Sequence, residues 1–216
     1  MNLNKFETIR AVNFLKGIIV NFDKNQKDDL ILKFLEQHKE LLPIFEQCQV
    51  LTYGLRTNEH TKQLTQLFVN SNYSVNNDFN SSFVAFQNGR FKTTKIILEN
   101  GYDLNHEHNG KIIVEKALDS IHIKTGASTI KKVNGVLNDF DLDKISYKKF
   151  IELSKGIVKA KTQLLIMKNM APGIAHPLLE EFSVFEKKYE IVQSKKTFEQ
   201  QLSINEPVVK KSTFKI

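Results

Sequence analysis

Residues 88 to 105 read NGRFKTTKIILENGYDLN, and this stretch decides the fold class. Two Asn-Gly pairs, Asn88-Gly89 and Asn100-Gly101, bracket a segment that carries the apolar triplet Ile96, Ile97 and Leu98. Glycine enters the left-handed region without a Cβ penalty, so each pair ends one helix and turns the chain toward the next. Upstream, Phe83, Val84, Ala85 and Phe86 form a short apolar helix that stops at the first pair. Downstream, the polar residues Tyr102 to Gly110 lead into a new apolar segment with Ile112, Ile113, Val114, Ala117 and Leu118. Helix, glycine turn, helix and polar excursion thus form one unit, and from Ala85 to Ala117 is 32 positions.

Those residues resemble the second half of an ankyrin repeat, whose usual pattern reads NGHLEVVKLLLENGADVN. Gly89 matches the glycine between the repeat's helices, Ile96 to Leu98 the leucine triplet, and Gly101 the closing glycine. Asp103 and Asn105 match the polar pair that opens the hairpin loop, and Gly110, Ala117 and Leu118 the start of the following unit. The spacing is close to the family's period of about 33. LTQLFVNSNYSVN, residues 64 to 76, resembles a degraded copy in which Asn72 replaces the closing glycine. The TPLH box is kept neither at Asn80 to Phe83 nor at Ile112 to Glu115, and Arg90 stands where the family has His.

Outward from there, apolar residues recur at three- and four-residue intervals and strand-like alternation is rare, as an all-α chain requires. One helix is expected from about Asn4 to Val20, and another from the acidic start Asp28-Asp29 to Pro43. A third is expected from about Ile44 to Leu55. Residues 119 to 145, with Gly126 and Gly135, read as an irregular repeat or a loop-rich connection. Ser146 is a fitting N-cap for a helix to about Met170, Pro172-Gly173 for a turn, and Pro177 for the first turn of a last helix to about Leu202. The expected organisation is a helical cap over 1–45, two or three irregular ankyrin-like repeats over 46–125, a helical region over 126–204 and a tail over 205–216.

The chain has 216 residues, 41% of them hydrophobic and 25% charged, with a single cysteine. That balance excludes a disordered chain and a disulfide scaffold. Cys48 has no partner for an internal bridge, which fits a reducing, cytoplasmic compartment, and it reads as a small core residue. No apolar run reaches the roughly 18 residues of a membrane span. MNLNKFETIR lacks the pattern of a cleaved export signal. The net charge is +7, and residues 1–108 hold 12 basic and 12 acidic side chains, so the whole excess lies in residues 109–216.

Motifs for chemistry are sparse. Asp139, Asp141 and Asp143 suggest a calcium loop, but a start at Asp139 places Lys144 at the glycine position and Phe150 at the bidentate glutamate position. His106, Glu107 and His108 offer too few ligands for zinc and read as exposed loop groups. His38 and His176 read as structural or exposed. No nucleophile elbow, phosphate loop or dinucleotide motif occurs. The expectation is a protein without catalysis, cofactor or metal.

The resemblance implies a protein-binding module, because ankyrin arrays use hairpin tips and the concave face of their first helices. Carried over by position, the candidate partner-binding residues are Phe83, Phe86, Gln87, Arg90, Tyr102, Asn105, His106 and His108. Of these, Phe83, Phe86 and Tyr102 also suit a core between irregular repeats. An adaptor or inhibitor is expected, and a viral or bacterial factor that engages a protein in the host cytosol suits so divergent an array. A second reading places a candidate anion-binding surface at Lys148, Lys155 and Lys159, for nucleic acid. A third is a helical component of a larger assembly.

Overall fold

The computed structural model describes residues 5–22 and 28–205, and the expected tail beyond Asn205 lies outside them. Every regular element among the described residues is a helix. Helices α1 (Lys5–Val20) and α2 (Asp28–Gln37) are followed by a 3-10 turn at Lys39–Leu41 and by α3 (Leu42–Gln47). Then come α4 (Val50–Thr57), α5 (Thr61–Asn70), α6 (Ser81–Gln87), α7 (Phe91–Glu99), α8 (Ile113–Asp119) and α9 (Ala127–Asp139). A 3-10 turn at Leu142–Lys144 leads to α10 (Tyr147–Met170) and α11 (Pro172–Asn205).

The packing follows one rule. Helices pair in chain order, as α1 with α2, α4 with α5, α6 with α7, α8 with α9 and α10 with α11. First members pack on first members (α1, α4, α6, α8, α10) and second on second (α2, α5, α7, α9, α11), which makes two layers. Between them runs one apolar core from Val12 to Val192, in which Phe45, Phe68, Phe83, Phe150 and Phe182 are among the largest fully buried side chains.

Left-handed residues set the turns, at Asn72 (φ 63°), Gly89 (φ 69°) and Gly101 (φ 90°). At Gly89 the Arg90 N–H donates to the Ala85 carbonyl and the Gly89 N–H to that of Phe86, both at 2.9 Å. At Asn72 the same pair recurs, Tyr73 to Phe68 at 3.1 Å and Asn72 to Val69 at 3.0 Å. Both are Schellman closures, and the asparagine serves because its side chain tolerates this region better than most.

Several expected boundaries are corrected. Pro43 does not end α2; it sits in the first turn of α3, where its missing N–H leaves no bond unmade. The expected helix Ile44–Leu55 is two, broken at Gln49 with φ 50°. Residues 127–139 form a regular helix, and Gly135 is exposed within it. Pro172 opens the last helix rather than a turn, and the Ala175 N–H donates to the Ala171 carbonyl at 3.0 Å. Pro177 lies inside α11, not at its start. Cys48 is exposed, not a core residue.

Two glycines give opposite predictions. A Cβ on Gly54 would lie 2.5 Å from Leu64 Cδ2 and 2.8 Å from Ile19 Cγ2, where α4 approaches α5 and α1. Gly54→Ala therefore lowers the unfolding free energy by about 1–3 kcal/mol through overpacking. A Cβ on Gly135 meets nothing within 4 Å, so Gly135→Ala raises stability by about 0.5–1 kcal/mol. Urea denaturation of the two variants checks both signs.

Candidate functional site

The loops between successive helix pairs gather on one edge of the two layers, joined by polar side chains. Gln49 Oε1 accepts from Asn80 Nδ2 at 2.9 Å, and Asn80 Oδ1 meets His108 Nδ1 at 2.9 Å. Glu46 accepts from the Ser74 N–H at 2.7 Å and from Asn77 Nδ2 at 2.6 Å. One loop further, Asn76 Oδ1 accepts from the Asp103 N–H at 3.1 Å, and Tyr102 donates to the Phe79 carbonyl at 2.9 Å. Asn105 then donates to the Lys144 carbonyl at 3.0 Å and accepts from the Ser146 N–H at 2.6 Å. Ser146 is the residue before α10, as expected, although its own side chain makes no capping bond.

The loop of residues 102–112 ends in a finger. His108 and Lys111 pair as an isolated antiparallel bridge, closed by Asn109 (φ 54°) and Gly110 (φ 72°). Two successive left-handed residues make the type I′ turn that Asn-Gly favours. Glu115 accepts from the Ile112 N–H at 2.9 Å and so starts α8.

The expected partner-binding residues divide. Phe83, Phe86 and Tyr102 are 1%, 4% and 4% exposed, so they build the core between layers and present nothing to a partner. Arg90 is half-buried and donates to the Glu59 carbonyl at 3.0 Å. Asn105 spends its carboxamide on the link between loops. Gln87 is exposed, and His106 and His108 are half-buried rather than open loop groups. Glu107 pairs with Lys149 at 2.8 Å.

His106 lies among aromatic rings, 5.0 Å from Phe79, 6.2 Å from Phe83 and 6.3 Å from Tyr102 between centroids. Its Nε2 is buried without a hydrogen-bond partner. Burial lowers its pKa, with His108 acting in the same direction and Asp103 and Glu107 against it. The neutral ring is favoured in the folded chain, so its contribution to stability is complete above the unfolded value near 6.5 and is lost as pH falls through the folded value. Between pH 7.5 and 5 the urea midpoint of the native chain is expected to fall more than that of a His106→Phe variant.

The three lysines do share a face of α10, at spacings of seven and four. Asp119 accepts from Lys159 at 3.0 Å and from Lys111. Burial works against it, but the two lysines hold the Asp119 carboxyl below the usual range. The cavity between α8 and α10 is lined by Lys111, Lys155 and Lys159 and by Glu115, Asp119 and Glu152, so charges there balance. Lys148 and Lys155 are exposed.

A second cavity lies on the loop edge, where the sequence predicts none. It lies between the turn after α7 and the link from α9 to α10, with Glu99, Asp103, Asp139 and Asp141 around it. The acidic run at 139–143 is the signal for it in the sequence. Among the described residues no three metal-ligating side chains converge, and no helix is long and apolar enough to cross a membrane. No protein-family model matches the chain, and neither a curated protein nor a solved structure matches it significantly.

Proposed function

We propose that the chain is a protein-binding module of ankyrin-like build, a short irregular solenoid that acts without catalysis as an adaptor or inhibitor. The register of the helix pairs supports this reading. Thr61 and Thr93 hydroxyls meet at 3.0 Å across 32 residues, Asn88 donates to the Leu55 carbonyl across 33, and Arg90 to that of Glu59 across 31. Equivalent positions of successive pairs therefore lie side by side, as stacked repeats require. Stacking also brings the loops between pairs to one edge, where Asp103 and Glu107 are exposed, while Gln87 is exposed at the opposite end of α6.

The nucleic-acid reading draws less support, because Asp119 answers Lys159 and the groove beside α10 carries balanced charge. Affinity capture from the native cell, with nuclease and at two salt concentrations, tests the choice. A protein partner is expected that resists nuclease and salt, is lost with Gln87→Ala and Glu107→Ala together, and is retained with Lys148→Ala and Lys155→Ala. Recovery of nucleic acid alone, or of higher oligomers of the chain alone, contradicts the proposal.

A further inference from the structure

The cavity on the loop edge has a volume of about 440 Å³. Leu98, Leu104 and Phe140 supply its apolar lining, with Tyr102 beside them. Four carboxylates and two ammonium groups, Lys95 and Lys144, surround that lining, a local excess of acid on a chain of net charge +7. The two lysines do not cancel the four acids. Lys95 holds Asp139 at 3.0 Å and lies 3.8 Å from Glu99, while Lys144 is 3.5 Å from Asp141 and its side chain is 72% exposed.

Asp103 is the carboxylate best placed for a guest. Its Oδ1 accepts from the backbone and side-chain nitrogens of Asn105, at 2.9 and 3.1 Å, which fixes its orientation. No ion pair joins it to another described residue. An apolar lining beneath oriented carboxylates matches a long cationic side chain, whose methylenes cover apolar surface while its head pairs with acid. Arginine fits better than lysine, since its planar fork meets two carboxylate oxygens at once and its charge is less strongly hydrated.

We infer that this cavity receives an arginine side chain from a basic segment of the partner protein. The assignment rests on the protein-binding reading and adds to it the chemistry of one contact. Charge complementarity carries it: Lys195 of α11 also acts on Asp141, so four carboxylates face three ammonium groups, and Asp103 is the one left without an ion pair among the described residues.

The test titrates the full chain with an acetylated Gly-Ala-Arg-Ala-Gly amide peptide and with its citrulline counterpart, followed by amide NMR shifts. The arginine peptide is expected to shift residues 98–104 and 139–144, and the citrulline peptide to bind about tenfold more weakly, about 1.4 kcal/mol. Asp103→Asn and Asp141→Asn together, in a chain whose remaining spectrum is unchanged, are expected to remove that preference. Lys148→Ala is expected to keep it.

Equal binding of the two peptides, or shifts centred elsewhere, overturns the assignment. Removal of residues 206–216 that tightens peptide binding tenfold also overturns it, since the chain's own Lys210 and Lys211 would then be the occupant. Either result leaves the capture experiment standing, so failure of the cavity and failure of the protein-binding reading are distinguishable.

Discussion

Phe150→Ala is expected to lower the unfolding free energy by about 3–5 kcal/mol, the range for removing a fully buried aromatic ring. Phe150 has no exposed surface and stacks on Tyr189 with centroids 4.5 Å apart and planes at 12°. Lys196 lies over the same ring at 5.6 Å while its ammonium group donates to the carbonyls of Asp143 and Ile145, both at 2.9 Å. The ring thus joins α10, α11 and the preceding loop at one point. Because stacked pairs contact only their neighbours, the damage should fall first on the last pair. Urea denaturation measures the total, and hydrogen exchange is expected to lose more protection in α10 and α11 than in α4 to α7.

Asp78→Ala is expected to cost about 3 kcal/mol or more, because it strands several buried donors at about 1–3 kcal/mol each. Asp78 is completely buried, and its carboxylate accepts from the Thr52 N–H at 3.0 Å, the Thr52 hydroxyl at 2.5 Å and the Tyr73 hydroxyl at 2.8 Å. This fastens the loop before α6 to the first turn of α4. Burial raises the Asp78 pKa, although bonds from Thr52 and Tyr73 oppose the shift. Between the unfolded value near 3.9 and the raised folded value, the folded chain holds more protons. This carboxyl's contribution is therefore complete below pH 3.9 and declines as pH rises through its folded value. Denaturation of Asp78→Asn across that window is expected to lose this slope and to cost less than Asp78→Ala.

How much of this was legible depends on whether a residue's role is local. Gly89, Gly101 and Asn72 announce left-handed turns by residue type, and all three adopt them. Helix α9 hid behind Gly126 and Gly135, which read as breakers, although Ile130, Val133 and Leu137 kept a helical period. Pro177 misled in the same way, since nothing in the chain order said that α11 begins five residues earlier. Depth was the harder quantity. Phe83, Phe86 and Tyr102, expected from the resemblance to meet a partner, face inward, while Cys48 faces out. The buried Asp78 and the acid-lined cavity draw on segments 26 and more residues apart, and such meetings leave no mark on any single stretch.

The register of successive helix pairs is the claim on which the rest stands, and one cross-link tests it most directly. The Thr61 and Thr93 hydroxyl oxygens lie 3.0 Å apart on α5 and α7. With Cys48→Ser as background, a chain carrying Thr61→Cys and Thr93→Cys is expected to oxidise to an intramolecular disulfide in nearly every molecule. The oxidised form should resist unfolding by about 3–4 kcal/mol more than the reduced form. Two thiols that stay free in the folded, oxidised sample, or that bridge only between molecules, would contradict the stacked array.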